Sequence, residues 1–374
     1  MGMALAIYRK YRPKSFDEFF GQKEVVEIIR NAARQNRLAH AYLFYGPRGT
    51  GKTTTARLVA KLANCETRLS DNGFYQKGEP CNDCGRCKEI DSGRALDIIE
   101  IDAASNRGID DVRALQEGIR SSPSSYDYKV VILDEVHMLS RDAFNALLKT
   151  LEEPPAHVII ILATTEIEKV PPTIASRTQR FHFRKLNIDE IVQKLQKIAA
   201  AEKMKVADDA LELIAGSADG SLRDAESLLD QMASIKNQIT AEAVEKIIGK
   251  AGLGRLADFS EIILENQLAA ALKYIADLNA GGYNLVDFNK ELIYYWRRLL
   301  SLRFDPSLVE LYKQDITKKE LEKIRTQSAK IVPEKHLTFV RSLIRAYSEM
   351  RYSPFVVVPL EIAIIENLKT KNSA

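Results

Sequence analysis

The chain has 374 residues, of which 45% are hydrophobic and 28% charged, a balance that suits several folded cores and excludes a disordered or fibrous protein. Its 54 basic and 51 acidic residues leave a net charge of +3, so any attraction to nucleic acid has to come from a local basic surface. The longest apolar runs, His157 to Ala163 and Phe355 to Ile365, fall short of the ~20 residues of a membrane helix, and the start lacks a signal-peptide core and a myristoylation pattern. The expectation is a cytoplasmic protein without a membrane role.

In chain order, Tyr42 to Tyr45, Asp97 to Asp102, Lys129 to Asp134 and Val158 to Thr165 are short β-branched or apolar runs. Helix-like or loop-like sequence separates them, which predicts an α/β domain with a parallel sheet covered on both faces. After about Leu186 the strand-like runs stop. "NIDEIVQKLQKIAAAEKM" has apolar residues at helical spacing behind an Asn187 or Asp189 cap, and the remainder reads as all-helical. Glycines near 252 and 281 and prolines at 306, 333 and 354 mark helix boundaries, and the polar tail "KTKNSA" is expected to fray. The expected domains are residues 1–185, 186–249 and 250–374, with the second division at about Lys250.

"GPRGTGKT", Gly46 to Thr53, fits the phosphate-loop pattern, with a strand-like run behind it and a helix-like run ahead. Gly46, Gly49 and Gly51 let the backbone N–H groups between Gly46 and Thr54, including those of Arg48 and Thr50, curl around phosphate oxygens at a helix start; Pro47 lies in the same loop. Lys52 would reach the terminal phosphates and the Thr53 hydroxyl would ligate Mg2+. Downstream, "VVILDEVH" delivers Asp134 and Glu135 at the carboxyl end of a strand, where open α/β sheets bind ligands. Asp134 would hold the magnesium and Glu135 would polarise the attacking water. The next strand ends in Thr164 and Thr165, either of which suits a contact to the γ-phosphate or the water. His137, one of five scattered histidines, is expected to pack behind the strand end.

All four cysteines lie within one short stretch: Cys65, then Cys81, Cys84 and Cys87 at CxxCxxC spacing. Two overlapping CxxC turns aim thiolates at one point, and a fourth from the end of the preceding helix completes a tetrahedral site for Zn2+. An iron–sulfur cluster would accept the same ligands. A segment too small to fold on its own core gains ~10–16 kcal/mol from a structural zinc, so the metal is expected to staple an insertion at about residues 64–90 without taking part in chemistry.

With "YRKYRPKSFDEFFGQ", "DEVHML", "ATTE", "SRT" and "GSLRDAESLLDQ", the chain resembles the clamp-loader branch of the AAA+ ATPases. The resemblance implies an AAA+ domain, a helical lid and a helical collar. It also implies ATP hydrolysis that drives a sliding clamp onto primed DNA during replication. Tyr8, Arg9, Arg12 and Pro13 match the box that borders the adenine, and Thr165 matches sensor 1. Arg177 matches the arginine finger that reaches a neighbour's nucleotide, although Thr178 stands where the family usually has cysteine, and Arg223 matches sensor 2. An arginine that stabilises phosphoryl-transfer charge is worth roughly 10³ to 10⁵ in rate.

The cysteine insertion and the intact Lys52 and Thr53 together resemble the ATP-hydrolysing subunit of the bacterial replicative polymerase's loader. The implied partners are subunits of the delta and delta-prime types, the clamp and primed DNA, in a pentameric hetero-oligomer. The start of the helix at Arg107 and Arg113 either faces the DNA channel, as the resemblance implies, or is a solvated helix start. Any polymerase (nucleotidyltransferase) activity would belong to the holoenzyme. The alternatives are a non-catalytic nucleotide-binding scaffold and an AAA+ remodeler of recombination intermediates. The chain ends where a collar would, which points to a short natural form or a shortened longer one.

Overall fold

Alternate residues of each central strand enter opposite cores. The computed structural model of the chain, which describes residues 5–234, 238–248, 252–312, 316 and 318–368, places β1 (Ala41–Tyr45), β2 (Ile98–Asp102), β3 (Lys129–Asp134), β4 (Val158–Thr164) and β5 (Gln179–His182) in one sheet. Its order is β2-β3-β4-β1-β5 and every pairing is parallel, with Leu43 opposite Leu162 and Ile132 opposite Ile161. Tyr42, Phe44, Val130, Ile132, Ile159 and Ile161 face one core, while Leu43, Val131, Leu133, Ile160 and Leu162 face the other. Burial on both faces explains the unbroken apolar runs of β3 and β4.

Three of the four expected strands appear with ends shifted by at most one residue, and β3 matches at both ends. Asp97 is not in β2; its carboxylate instead accepts N–H bonds from Ser124, Ser125 and Tyr126, which fixes the loop before β3. β5 escaped the sequence reading because only Phe181 of its four residues is buried, so an edge strand leaves no apolar run.

Contacts divide the chain into two units, residues 1–186 with 219–227, and residues 187–218 with 228–374. The first unit contains the sheet. In the second, Asn187 caps helix Ile188–Ala201 through a capping box with Glu190, which settles the choice between Asn187 and Asp189. Its largest core gathers residues from Leu256 to Leu368 around Tyr295 and Trp296, both on helix Leu285–Phe304. Within that helix Tyr295, Trp296, Leu299 and Leu300 pack into this core, while Tyr294 is 45% exposed. Gly252 caps helix Leu253–Leu264, and Pro333 opens helix Pro333–Met350. Lys250 and the tail Lys369 to Ala374 lie outside the described residues.

Candidate functional site

The turn after β1 is shaped by glycine. Gly46 has φ +141°, and a Cβ there would lie 2.0 Å from the Phe183 carbonyl; Gly51 has φ +104°, and its Cβ would lie 2.4 Å from the ring of Phe19. Neither position accepts a side chain without displacing a neighbour. Helix Lys52–Asn64 starts directly from this turn. Lys52 is 6% exposed and donates to the carbonyls of Gly46 and Pro47, both at 2.8 Å. Burial lowers its pKa, while Glu135 and Asp134 oppose that shift.

The Thr53 hydroxyl donates to Asp134 Oδ2 at 2.7 Å, across 81 residues of sequence. Glu135 follows with φ +47°, a left-handed conformation that a non-glycine residue adopts at a cost and that is typical of functional turns. Thr165 holds the Glu135 carboxylate through its hydroxyl (3.0 Å) and its N–H (3.3 Å). Thr164 is fully buried and contacts His137 Nδ1 at 3.0 Å instead, so Thr165 is the threonine that meets the acid. The His137 side chain is only 7% exposed and packs behind the strand end, yet it also lies 3.5 Å from Glu135 and 3.1 Å from Glu166.

Tyr8, Arg12, Pro13, Phe19 and Phe20 wall one side of a cleft whose floor is Arg48 to Thr54 with Asp134 and Glu135. Leu186, Leu222, Arg223 and Glu226 complete it, and the Arg223 guanidinium stacks over the Tyr8 ring at 5.0 Å. Arg9 is not among the lining residues; its Nε donates to the Tyr8 hydroxyl at 3.1 Å. Burial, and next the charge of Arg57, hold the Arg12 pKa below its ordinary value. A larger groove of about 540 Å³ runs between helices Ile109–Arg120 and Arg141–Glu152, but no phosphate loop opens into it. Arg113 lies there, paired at 3.4 Å with exposed Asp110.

Arg177 is not among the residues that line the cleft. Its guanidinium pairs with Glu152 (2.5 and 2.8 Å) and donates to the Thr173 carbonyl at 2.9 Å, with 35% of the side chain exposed. Sequence reasoning missed Phe19, Phe20, Leu186, Leu222 and Glu226, which are ordinary residue types identified only by their position around the cleft.

The four cysteine sulfurs lie within 4.8 Å of one another. Bonds of ~2.3 Å from a tetrahedral zinc to each sulfur imply separations of about 3.8 Å, so a small contraction accommodates the ion. Backbone N–H groups of Cys81, Cys84 and Cys87 point at cysteine sulfurs at 3.2–3.4 Å, as thiolate ligands require. A hydrogen bond from Cys87 is the main cause that pushes the Cys65 thiol down to about 5, and the Cys87 pKa rises in return. This donor set fits a structural zinc.

Three family descriptions match successive parts of the chain: "DNA polymerase III, delta subunit" over residues 21–187, "DNA polymerase III clamp loader subunit, ATPase lid domain" over 190–237, and "DNA polymerase III subunits gamma and tau domain III" over 239–372. DNA polymerase III subunit tau of Bacillus subtilis is 39% identical over 99% of this chain and 64% of its own length. Subunit tau of Escherichia coli is 37% identical over 96% of this chain and 54% of its own. Subunit gamma of Buchnera aphidicola is 38% identical over 80% of each chain. The chain thus spans less than two thirds of the two tau relatives.

Proposed function

Because the chain belongs to the gamma/tau family of DNA polymerase III clamp-loader subunits, we propose that it is the ATP-hydrolysing motor that opens a sliding clamp and places it on primed DNA. The observation that carries this reading is the contact between Thr53 and Asp134 at 2.7 Å, with Glu135 held beside them by Thr165. A scaffold that binds nucleotide without turnover would have no need for that acid.

The residues take the following roles. Backbone N–H groups from Gly46 to Thr54 bind the phosphates, and Lys52 swings from the carbonyls of Gly46 and Pro47 to the phosphate oxygens. Thr53 and Asp134 would hold a magnesium ion, which when bound would supply positive charge against the charge developing on the phosphates. Glu135 orients the attacking water, and Thr165 restrains Glu135 until the nucleotide draws it away. Tyr8, Arg9, Arg12 and Pro13 border the base, and Arg223 leaves the Tyr8 ring for the γ-phosphate. Arg177 serves a neighbouring subunit, which agrees with its absence from this chain's own cleft. Cys65, Cys81, Cys84 and Cys87 hold zinc within an insertion of the AAA+ domain, residues 1–185, ahead of a lid (186–249) and a collar (250–374). The expected partners are delta-type and delta-prime-type subunits, the clamp and primed DNA in the cytoplasm.

Steady-state ATP hydrolysis by the chain alone, and then with those subunits, clamp and primed DNA, tests the motor. A low rate that rises sharply in the full mixture and collapses in Lys52→Ala supports it. A rate at the Lys52→Ala level in every mixture, with assembly and nucleotide binding demonstrated, replaces the motor with the scaffold.

A further inference from the structure

One wall of the cleft, the segment from Tyr8 to Phe20, is fastened from behind by the cysteine module. Glu79, 5% exposed, accepts the Phe16 N–H at 2.9 Å and faces Arg30 Nε at 3.3 Å. Lys61, 1% exposed and near the end of the phosphate-loop helix, donates to Asn82 Oδ1 at 2.9 Å, reaches the Lys14 carbonyl at 3.4 Å and pairs with Asp91 at 2.5 Å. Glu79 and Asn82 flank Cys81 in the turn, and Asp91 sits on helix Gly85–Ser92, which also carries Cys87.

The contacts continue to the phosphates. Phe16 is 2% exposed, and its carbonyl accepts the Phe19 N–H at 3.1 Å in a tight turn. That turn aims the Phe19 ring at Gly51, so closely that a Cβ on Gly51 would lie 2.4 Å from it. The chain from the cysteine turn through Glu79, Phe16 and Phe19 to Gly51 is continuous. A second chain runs from Asn82 and Asp91 through Lys61 along the helix that begins at Lys52.

Lys61 and Glu79 are charged groups under protein, and such groups are tolerated only with partners in place. Unfolding of the cysteine turn would strip Lys61 of Asn82 and Asp91 and would separate Glu79 from Phe16. The wall and the helix would then rearrange to rehydrate the charges, moving Phe19 off Gly51.

We propose that Lys61 and Glu79 are positioning residues that tie metal occupancy of the four-cysteine site to nucleotide affinity at the phosphate loop; this rests on the nucleotide-binding reading above. Coupling between two sites is reciprocal, so nucleotide should strengthen zinc binding by the factor that zinc strengthens nucleotide binding.

The test uses the full chain, zinc-loaded, with a fluorescent ATP analogue at constant magnesium. Removal of zinc with a zinc-selective chelator, helical circular dichroism being retained, is expected to raise the analogue's Kd by at least about fivefold. Lys61→Met, which keeps bulk and removes the polar links, and Glu79→Ala should raise Kd similarly while each chain still holds its zinc. Zinc affinity, measured by competition with a chromogenic chelator, should rise with saturating analogue. If zinc removal unfolds the chain, the two variants and the competition measurement decide. An unchanged Kd in folded zinc-free chain or in both variants, or a zinc affinity indifferent to nucleotide, overturns the coupling and leaves the nucleotide reading intact. Failure of the zinc-loaded wild type to bind the analogue overturns the nucleotide reading itself.

Discussion

Arg177→Ala separates a residue's service to its own fold from the proposed service to a neighbour. In the structure the guanidinium pairs with Glu152 at 2.5 and 2.8 Å and donates to Thr173 O at 2.9 Å, with the two side chains 35% and 49% exposed. An ion pair this open to solvent contributes about 0.2–1 kcal/mol. In a unit of this size, the expected loss in Tm is at most about 4 °C. An arginine finger, by contrast, is worth roughly 10³ in rate, or about 4 kcal/mol in the barrier. The two magnitudes differ enough to be read apart. Calorimetry on the isolated variant gives the first, and single-turnover ATP hydrolysis in the complete assembly gives the second.

Mixing then assigns direction. Arg177→Ala subunits keep an intact phosphate loop, and Lys52→Ala subunits keep an intact Arg177, so co-assembly of the two should restore hydrolysis that neither supports alone. Wild-type rates in Arg177→Ala would refute the reasoning. Equal loss with no rescue in proven mixed assemblies would place the arginine's effect within its own subunit.

Other outcomes follow from the same geometry. Glu135→Gln keeps an acceptor for Thr165 and should bind nucleotide normally while hydrolysis falls about 10²- to 10⁴-fold, read by binding and turnover on one preparation. The purified chain should release one zinc per chain when its thiols are titrated. Cys87→Ser, at a fully buried position, should lower Tm more than Cys84→Ser, whose position is half-buried.

His336 is buried against Trp296, and its Nδ1 accepts the Val332 N–H at 3.0 Å; burial first, and then Lys335, push its pKa to about 4. The folded form therefore resists the proton that the unfolded chain takes up near 6.5. Its contribution is whole above that pH and is lost as pH falls toward 4. About 1–2 kcal/mol should be gone by pH 5, a slope that His336→Gln abolishes in denaturant titrations.

The arrangement of the candidate site was legible because each part has a local signature. An apolar run that ends in Asp134-Glu135 is a buried strand with two acids at its end, and a glycine-rich stretch before Lys52 is a tight turn that opens a helix. Cysteine spacing likewise leads to one cluster of sulfurs. What stayed hidden depends on tertiary placement. Phe19 and Glu79 are common residue types whose importance arises from what faces them, Gly51 and the Phe16 N–H. Lys61 is one more lysine in a helix-like run, with no pattern that marks it, yet it is 1% exposed. β5 presents one buried residue and so no pattern. His137 illustrates the intermediate case: its burial followed from its position after a strand, whereas its contact with Glu135 required the fold.

The most direct test of the motor reading is clamp loading itself. Labelled sliding clamp retained on primed circular DNA should be counted after incubation with this chain, delta-type and delta-prime-type subunits and ATP. Loading by the wild type that disappears with Lys52→Ala is the predicted result. Equal loading by Lys52→Ala, or none by a wild-type assembly shown to bind ATP, clamp and primed DNA, would contradict it.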